Sequence, residues 1–375
     1  MDIKAQKLFS AYISGDSIIQ LTNGRLIFYN FNKFCHYIYI YDEKTLRQIF
    51  ELYFHEIIFK FEEEIKKNKD KLEGQGDDEN EEDKEDYSNI NCIKELKNGT
   101  ILIGQNKYLF ELNIYKKSYS CEIVKKIDVN ILDINEISNK RLIIVTNINI
   151  LVLKKENLEY IIINEYPIKN NWKIIPMAAT HRYYGGFKQY FSSYVLPNDK
   201  LLLNSFSTEL RYNGWCGTHP PTEFSNSKII FIDLKNFEEI SSTETFKIDA
   251  KYMIFESIIV IQAYDKVFIY DINSFKLINN IILETVHGYM YKYDEHYILA
   301  VSKYENENTI VIYKIENNDL IEYCKTKVNL SFKKMYGRNH YPITKYNNKF
   351  LLTLKNKKVV ITCHDKTYLL KLDIN

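Results

Sequence analysis

A short polar turn set between two apolar runs recurs down the whole 375-residue chain, and any fold must accommodate that repetition. It reads LTNGRLIF at 21–28, LKNGTILI at 96–103, ISNKRLII at 137–144 and LPNDKLLL at 196–203. Degenerate copies follow as MIFESIIVI, KYDEHYILAV and KYNNKFLLTL. Asn23-Gly24 and Asn98-Gly99 predict tight hairpins, read here as two-residue type I′ turns with positive φ at both central positions.

Each hairpin is followed by a second one with its own polar turn. These are YIYIYDEKTLRQIF, YLFELNIYKKSYSCEIV, INILVLKKENLEYIII, KIIFIDLKNFEEI, KVFIYDINSFKLI, TIVIYKIENNDLIEY and KVVITCHDKTYLLKL. Seven units of four strands, A to D, result, with a period of about 40 residues where nothing is inserted. Asp42, Asp233 and Asp271 stand at the C–D turn, where a short carboxylate accepts hydrogen bonds from its own backbone and starts the turn. Many strands are continuous apolar runs, the pattern of a strand buried on both faces. The predicted fold is therefore all-β: a seven-bladed β-propeller of four-stranded antiparallel blades over residues 1–375, with long insertions on one face. Within it, residues 46–66 fit a strand pair or a partly helical segment equally well. The last unit supplies its own D strand at Tyr368 to Leu372, and residues 7–14, KLFSAYIS, offer an outer or substitute strand at the seam.

The chain resembles the WD40-type β-propeller superfamily, with YIYIYD, FID and FIYD standing where that family often has its Trp-Asp ending. The resemblance covers nearly the whole chain in repeat length and strand order. No unit carries the Gly-His pair before strand A, and Trp is absent from every C-strand ending. Propeller geometry by itself implies no activity.

Composition narrows the function. An apolar content of 45% supports a large core and excludes a mainly disordered chain. Six scattered cysteines without a close pair predict reduced thiols. No apolar run reaches the roughly 18–20 residues that span a bilayer, and the N-terminus lacks the pattern of a secretory leader. The expectation is a soluble cytoplasmic protein that does not act at a membrane.

Antiparallel pairing puts the A–B and C–D turns at one end of every blade and the B–C and D–A connections at the other. The first set is uniformly short. The long connections, read as residues 53–89, 166–189, 207–226 and 329–341, all fall in the second set, so function is assigned to that end. Residues 62–88 are acidic, net −8 from Glu62 to Asp86, and are expected to be a flexible insertion. The next two connections hold both tryptophans. Trp172, Arg182, Tyr183, Tyr184, Arg211, Tyr212 and Trp215, with Arg338 from another loop, are the expected contacts for protein partners, because Trp, Tyr and Arg dominate binding hot spots. The alternative for the tryptophan-bearing loops is that they pack on each other as a cap.

Cys216 and His219, with His181 and His340, offer loose metal-ligand spacing, and His287, Arg338 and His340 could serve acid–base chemistry at a channel mouth. No P-loop or nucleophile elbow supports an enzyme. The reading is a non-enzymatic protein-interaction scaffold with no cofactor, metal or small-molecule ligand, acting within a larger complex. An enzyme with a His-lined or metal-assisted site, and an RNA-associated factor using the basic body left after the acidic insert is set aside, are the alternatives.

Overall fold

The computed structural model describes residues 4–11, 17–29, 37–53, 57–61, 63, 90–115, 118–157, 159–174, 184–197, 199–211, 222–247, 250–283, 290–304, 307–327, 351–354, 357–363 and 366–373. Among them the strands pair into seven four-stranded antiparallel sheets. The first holds β2 (Ser17–Gln20), β3 (Arg25–Tyr29), β4 (Tyr37–Asp42) and β5 (Gln48–Tyr53). The second holds β6 (Ile90–Glu95), β7 (Ile101–Gln105), β8 (Tyr108–Ile114) and β9 (Tyr119–Lys126), and the third β10 (Ile131–Glu136), β11 (Arg141–Thr146), β12 (Asn149–Glu156) and β13 (Glu159–Pro167). The fourth holds β14 (Tyr184–Leu196), β15 (Lys200–Arg211), β16 (Thr222–Asp233) and β17 (Glu238–Ser242). The fifth holds β18 (Lys251–Ile254), β19 (Ile258–Ala263), β20 (Lys266–Asp271) and β21 (Leu277–Ile282). The sixth holds β22 (Met290–Lys292), β23 (Tyr297–Tyr304), β24 (Glu307–Glu316) and β25 (Asp319–Lys327). The seventh combines β26 (Leu351–Thr353), β27 (Lys358–Cys363) and β28 (Lys366–Asp373) with β1 (Lys4–Ala11) from the other end of the chain. No helix among the described residues is long and apolar enough to cross a membrane.

The chain divides into two compact units, Gly15–Ile168 and Met1–Ser14 with Lys169–Asn375. In the first, one apolar cluster lies between the first and second sheets, through Ile27, Ile40, Ile103 and Phe110, and another between the second and third, through Leu102, Leu109, Ile144 and Leu153. Neighbouring residues of β7 thus face opposite cores, which is why ILI reads as an unbroken apolar run. At Gly104 the second and third sheets approach closely: a Cβ there would lie 2.6 Å from Ile131 Cγ2 and 2.7 Å from Cys92 Sγ. In the other unit the cores fall between the fourth and fifth, fifth and sixth, and sixth and seventh sheets.

The two Asn-Gly A–B turns share one geometry, and it differs from the two-residue type I′ turn expected there. Leu21 and Leu96 each donate their N–H to the carbonyl four residues on, and accept from the glycine three residues on. Only Gly24 (φ +80°) and Gly99 (φ +86°) are left-handed, while Asn23 and Asn98 each accept a bond from the backbone N–H two residues on. This is a three-residue loop closed by one left-handed residue. The Asn side chain stabilises the turn without itself adopting positive φ. Lys140, Asp199 and Lys357 take the left-handed place just before β11, β15 and β27.

That geometry corrects the reading of the last unit. Leu354 donates to Lys358 O and accepts from Lys357 N–H, so LKNKK is the A–B turn there, cognate with LTNGR and LKNGT. Everything downstream moves by one strand: β28, expected as the D strand, is third, and β1 pairs with it from Lys4↔Asp373 to Ala11↔Thr367. The N-terminal segment is thus the outermost strand of a sheet otherwise made of the last residues of the chain.

The C–D turns follow expectation. Asp42 Oδ1 accepts from the N–H groups of Lys44 and Thr45 (3.0 and 2.8 Å), Asp271 Oδ1 from Asn273 and Ser274 (3.1 and 2.6 Å), and Asp233 Oδ1 from Lys235 (2.9 Å). In each turn the fifth residue, Leu46, Phe237 or Phe275, is left-handed and buried. The ambiguous stretch at 46–66 is both things in part: β5 ends at Tyr53, and residues 57–61 and 63 are helical.

Candidate interaction surface

The fourth sheet stands apart. Its strands β14, β15 and β16 run 13, 12 and 12 residues, whereas β6, β7, β10 and β11 run 6, 5, 6 and 6. Pairing continues without a break from Lys200↔Asp233 to Arg211↔Thr222. The connections expected at 166–189 and 207–226 are accordingly shorter: residues 184–189, 207–211 and 222–226 are strand, leaving 168–183 and 212–221 between strands.

Sequence explains where the core stops. Leu201 to Leu203 and Ile229 to Ile232 are buried apolar residues, and next to them buried polar side chains join the buried Phe191 and Phe206. Asn204, Ser205, Ser207, Thr208 and Ser227 are all buried. Buried polar groups need partners, and several are supplied locally. Gln189 Nε2 donates to Ser205 Oγ at 2.9 Å, Ala250 N–H to Ser227 Oγ at 2.8 Å, and Ile229 N–H to Thr243 Oγ1 at 3.1 Å. The segment leaving β17 crosses back to exchange backbone bonds between Phe246 and Ser227. At the opposite end Lys200 Nζ meets Asp233 Oδ2 at 2.5 Å, and this bond, with that from Lys235 N–H, holds the Asp233 carboxyl below its ordinary value.

Trp172 sits in a one-turn 3₁₀ helix, Asn170–Trp172, and is only 1% exposed. Its Nε1 donates to Glu239 Oε2 at 2.9 Å, as does Asn171 Nδ2. Lys169 Nζ pairs with Glu238 Oε2 at 2.5 Å and lies 5.4 Å from the centre of the indole ring, while Lys228 Nζ donates to Asn171 O at 3.1 Å. The indole therefore anchors the segment entering the fourth sheet onto β16 and β17. Its face is not presented for contact, in place of the exposed role expected for it. Lys169, Glu238 and Glu239 had no signal in the sequence, because acidic residues on an outermost strand ordinarily mark a solvated edge.

Tyr184 begins β14 and Arg211 ends β15, and the backbone register pairs them directly. The structure thus brings these two of the expected contact residues together at the far end of the extended sheet. Arg182, Tyr183, Tyr212, Trp215 and Arg338 lie outside the described residues, as do His181, Cys216, His219, His287, His340 and the acidic stretch at 64–89. Among the described residues no group of three or more His, Cys, Asp or Glu side chains could hold a metal ion. Cys92, Cys121 and Cys324 are free thiols, and burial pushes the Cys121 thiol up to about 12.

No protein-family model matches the sequence, and no curated protein does. Solved structures do match the fold. Two crystal structures of the extracellular domain of BT4673 from B. thetaiotaomicron align with TM-scores of 0.50 and 0.49 at 11% and 12% identity. Each alignment covers 98% of this chain and 40% of that one. The computationally designed Ika8 protein aligns over 98% of this chain and all of its own, with a TM-score of 0.48 and 10% identity. This chain spans less than half the length of the BT4673 domain, and at these identities the likeness concerns the fold alone. Together with the repeated sheets, the alignment at a TM-score of 0.50 identifies an all-β fold of successive four-stranded blades, propeller-like in strand order.

Proposed function

We propose that this chain is a non-enzymatic scaffold whose seven sheets are the blades of one WD40-like propeller, and that the B–C and D–A end of the fourth blade receives a protein partner. The observation that carries this reading is the extension of β14, β15 and β16 beyond the apolar core. Fixing one residue costs about 1–2 kcal/mol of backbone entropy, and where the extension leaves the core the buried Ser205, Ser207, Thr208 and Ser227 stand beside Phe206 in place of the unbroken apolar burial that normally offsets that cost. A stiff ribbon results, with the Tyr184–Arg211 pair and the 212–221 connection at its tip. Function concentrates where loops are held by a rigid frame, and Arg, Tyr and Trp at such a tip suit a partner surface offering carboxylates beside apolar groups. Free thiols at Cys92, Cys121 and Cys324 accord with a reducing compartment.

The test is affinity purification from the source cell with three baits: wild type, Arg211→Glu with Trp215→Ala, and the control Arg25→Glu, at the start of β3 by the trimmed end. Loss of the same partners from the second bait alone is the expected result. Identical partner sets on all three baits would remove the assignment.

A further inference from the structure

The outermost strand of each sheet is an open edge, and proteins guard such edges with charge. Six of the seven comply: β1, β5, β9, β13, β17 and β25 carry, for example, Lys4, Glu51, Lys125, Glu159, Glu238 and Lys325. The exception is β21, LINNII, which has no charged residue and pairs only with β20 among the described residues. Its apolar side chains are open, Leu277 at 47% and Ile278 at 42% like Ile240 and Ile321 on other outermost strands, and Ile282 beyond them at 71%. No other large apolar side chain among the described residues is as exposed as Ile282.

We propose that β21 is where two copies of this chain associate, edge to edge and antiparallel, about a twofold axis at Asn280. The argument for a second copy is that the strand complements itself. Two antiparallel copies of one edge strand are related by an axis normal to the sheet, so residues facing each other across the seam lie on the same face and their positions add to an even number. The face of β21 turned away from the sixth sheet carries Ile278, Asn280 and Ile282, all exposed. The other face is committed: Asn279 Nδ2 donates to Asn318 O at 3.0 Å, and Ile281 packs on the core between the fifth and sixth sheets. An axis at Asn280 sets Asn280 against its own copy and Ile278 against Ile282 of the other copy, twice over. Apolar meets apolar on both sides of an amide pair, and the free edges of two four-stranded sheets are satisfied together. Moving the axis to Asn279 would instead set Lys276 against Ile282 and Ile278 against Asn280. The bulge at Ile278 ends the regular pairing with β20 and confines the seam to this short stretch.

Sedimentation velocity of the full chain over a concentration series tests the proposal, together with the variants Ile282→Lys, Asn280→Cys and Asn279→Cys. The expected result is a concentration-dependent rise from 44.7 kDa to twice that mass. Ile282→Lys weakens association on the order of 100-fold, since symmetry introduces each lysine twice, while its far-UV circular dichroism and melting stay those of wild type. On mild oxidation Asn280→Cys gives a disulfide-linked dimer that wild type and Asn279→Cys do not, because only residue 280 faces its own copy. A wild type that stays at the mass of one chain overturns the proposal. So does a dimer that survives Ile282→Lys and is not trapped by Asn280→Cys.

Discussion

Replacing Trp172 by phenylalanine separates anchoring from partner contact, because it removes one hydrogen bond and keeps most of the ring. The indole N–H donates to a carboxylate at 2.9 Å, and the ring is fully covered. A hydrogen bond to a charged group contributes about 1.5–3 kcal/mol. Glu239 is only partly buried and also accepts from Asn171, so the lower part of that range applies, about 1.5 kcal/mol. Trp172→Ala would further empty the ring volume and cost about 3–5 kcal/mol. Glu239→Ala should destabilise by an amount similar to Trp172→Phe. The double variant should cost less than the sum, with a coupling of about 1 kcal/mol, since either change alone breaks the same bond. Urea unfolding followed by far-UV circular dichroism reads all four corners of this cycle, and tryptophan fluorescence in a Trp215→Phe background follows the Trp172 site by itself. Strict additivity, or a Trp172→Phe protein as stable as wild type, would refute the anchoring role of the indole N–H.

Three further outcomes are expected. Gly104→Ala brings a methyl within 3 Å of both Ile131 and Cys92; overpacking of this kind costs about 1–3 kcal/mol, visible as a lower urea midpoint with unchanged slope. Acid should weaken the C–D turns. The carboxyls of Asp42, Asp233 and Asp271 are all held below their ordinary value of 3.8, by the Thr45 hydroxyl, the Lys200 ammonium and the Ser274 N–H respectively. A depressed folded-state pKa adds stability above the unfolded value and forfeits it as pH falls through the folded one. Titration below about pH 4 should therefore cost the wild type more than an Asp42→Asn, Asp271→Asn double variant, measured as melting temperature against pH. Deleting residues 1–11 should leave β28 as an unpaired edge, so the truncated chain should melt earlier and aggregate on heating, read by light scattering.

The repeat was legible because both requirements of a sandwiched strand, apolar side chains on both faces and a polar stop at each end, are written locally. The Asp-led C–D turns were legible for the same reason: the carboxylate bonds to N–H groups two and three residues away. Register in the last unit was misread because NNK at 347–349 and KNK at 355–357 are equally good turn sequences. What distinguishes them is the pairing of β28 with β1, at the far end of the chain, and no local pattern reports that. The extent of β14, β15 and β16 was hidden in a different way. Serine, threonine and asparagine read as loop because they usually bond their own backbone, yet here side chains such as Ser205, Ser227 and Thr243 find partners across strands. The burial of Trp172 likewise depends on Glu239, 67 residues away.

The two ends of the blades are stabilised by different means. At the A–B end neighbouring sheets are tied by carboxylates that accept turn N–H groups. Glu95 accepts from Thr22 N–H (2.8 Å) and Thr22 Oγ1 (2.5 Å), Glu136 from Lys97 N–H (2.7 Å), and Glu295 from Glu256 N–H (3.2 Å). Glu95 and Glu136 both close strand A of their sheet, so the tie passes from the second sheet to the first and from the third to the second. The A–B turns of the first, second and fifth sheets are thus committed to the next sheet. At the B–C end the ties run from side chains to the next A strand: Asn91 Nδ2 to Ile131 O at 2.7 Å, Met290 N–H to Gln262 Oε1 at 2.8 Å, and Ala250 N–H to Ser227 Oγ. Where connections are described at that end they are tied as well: Asn171 and Trp172 bond to Glu239, and Phe246 exchanges backbone bonds with Ser227. The proposed assignment of recognition to that end therefore rests on the length of β14, β15 and β16 and on the residue types at their far end.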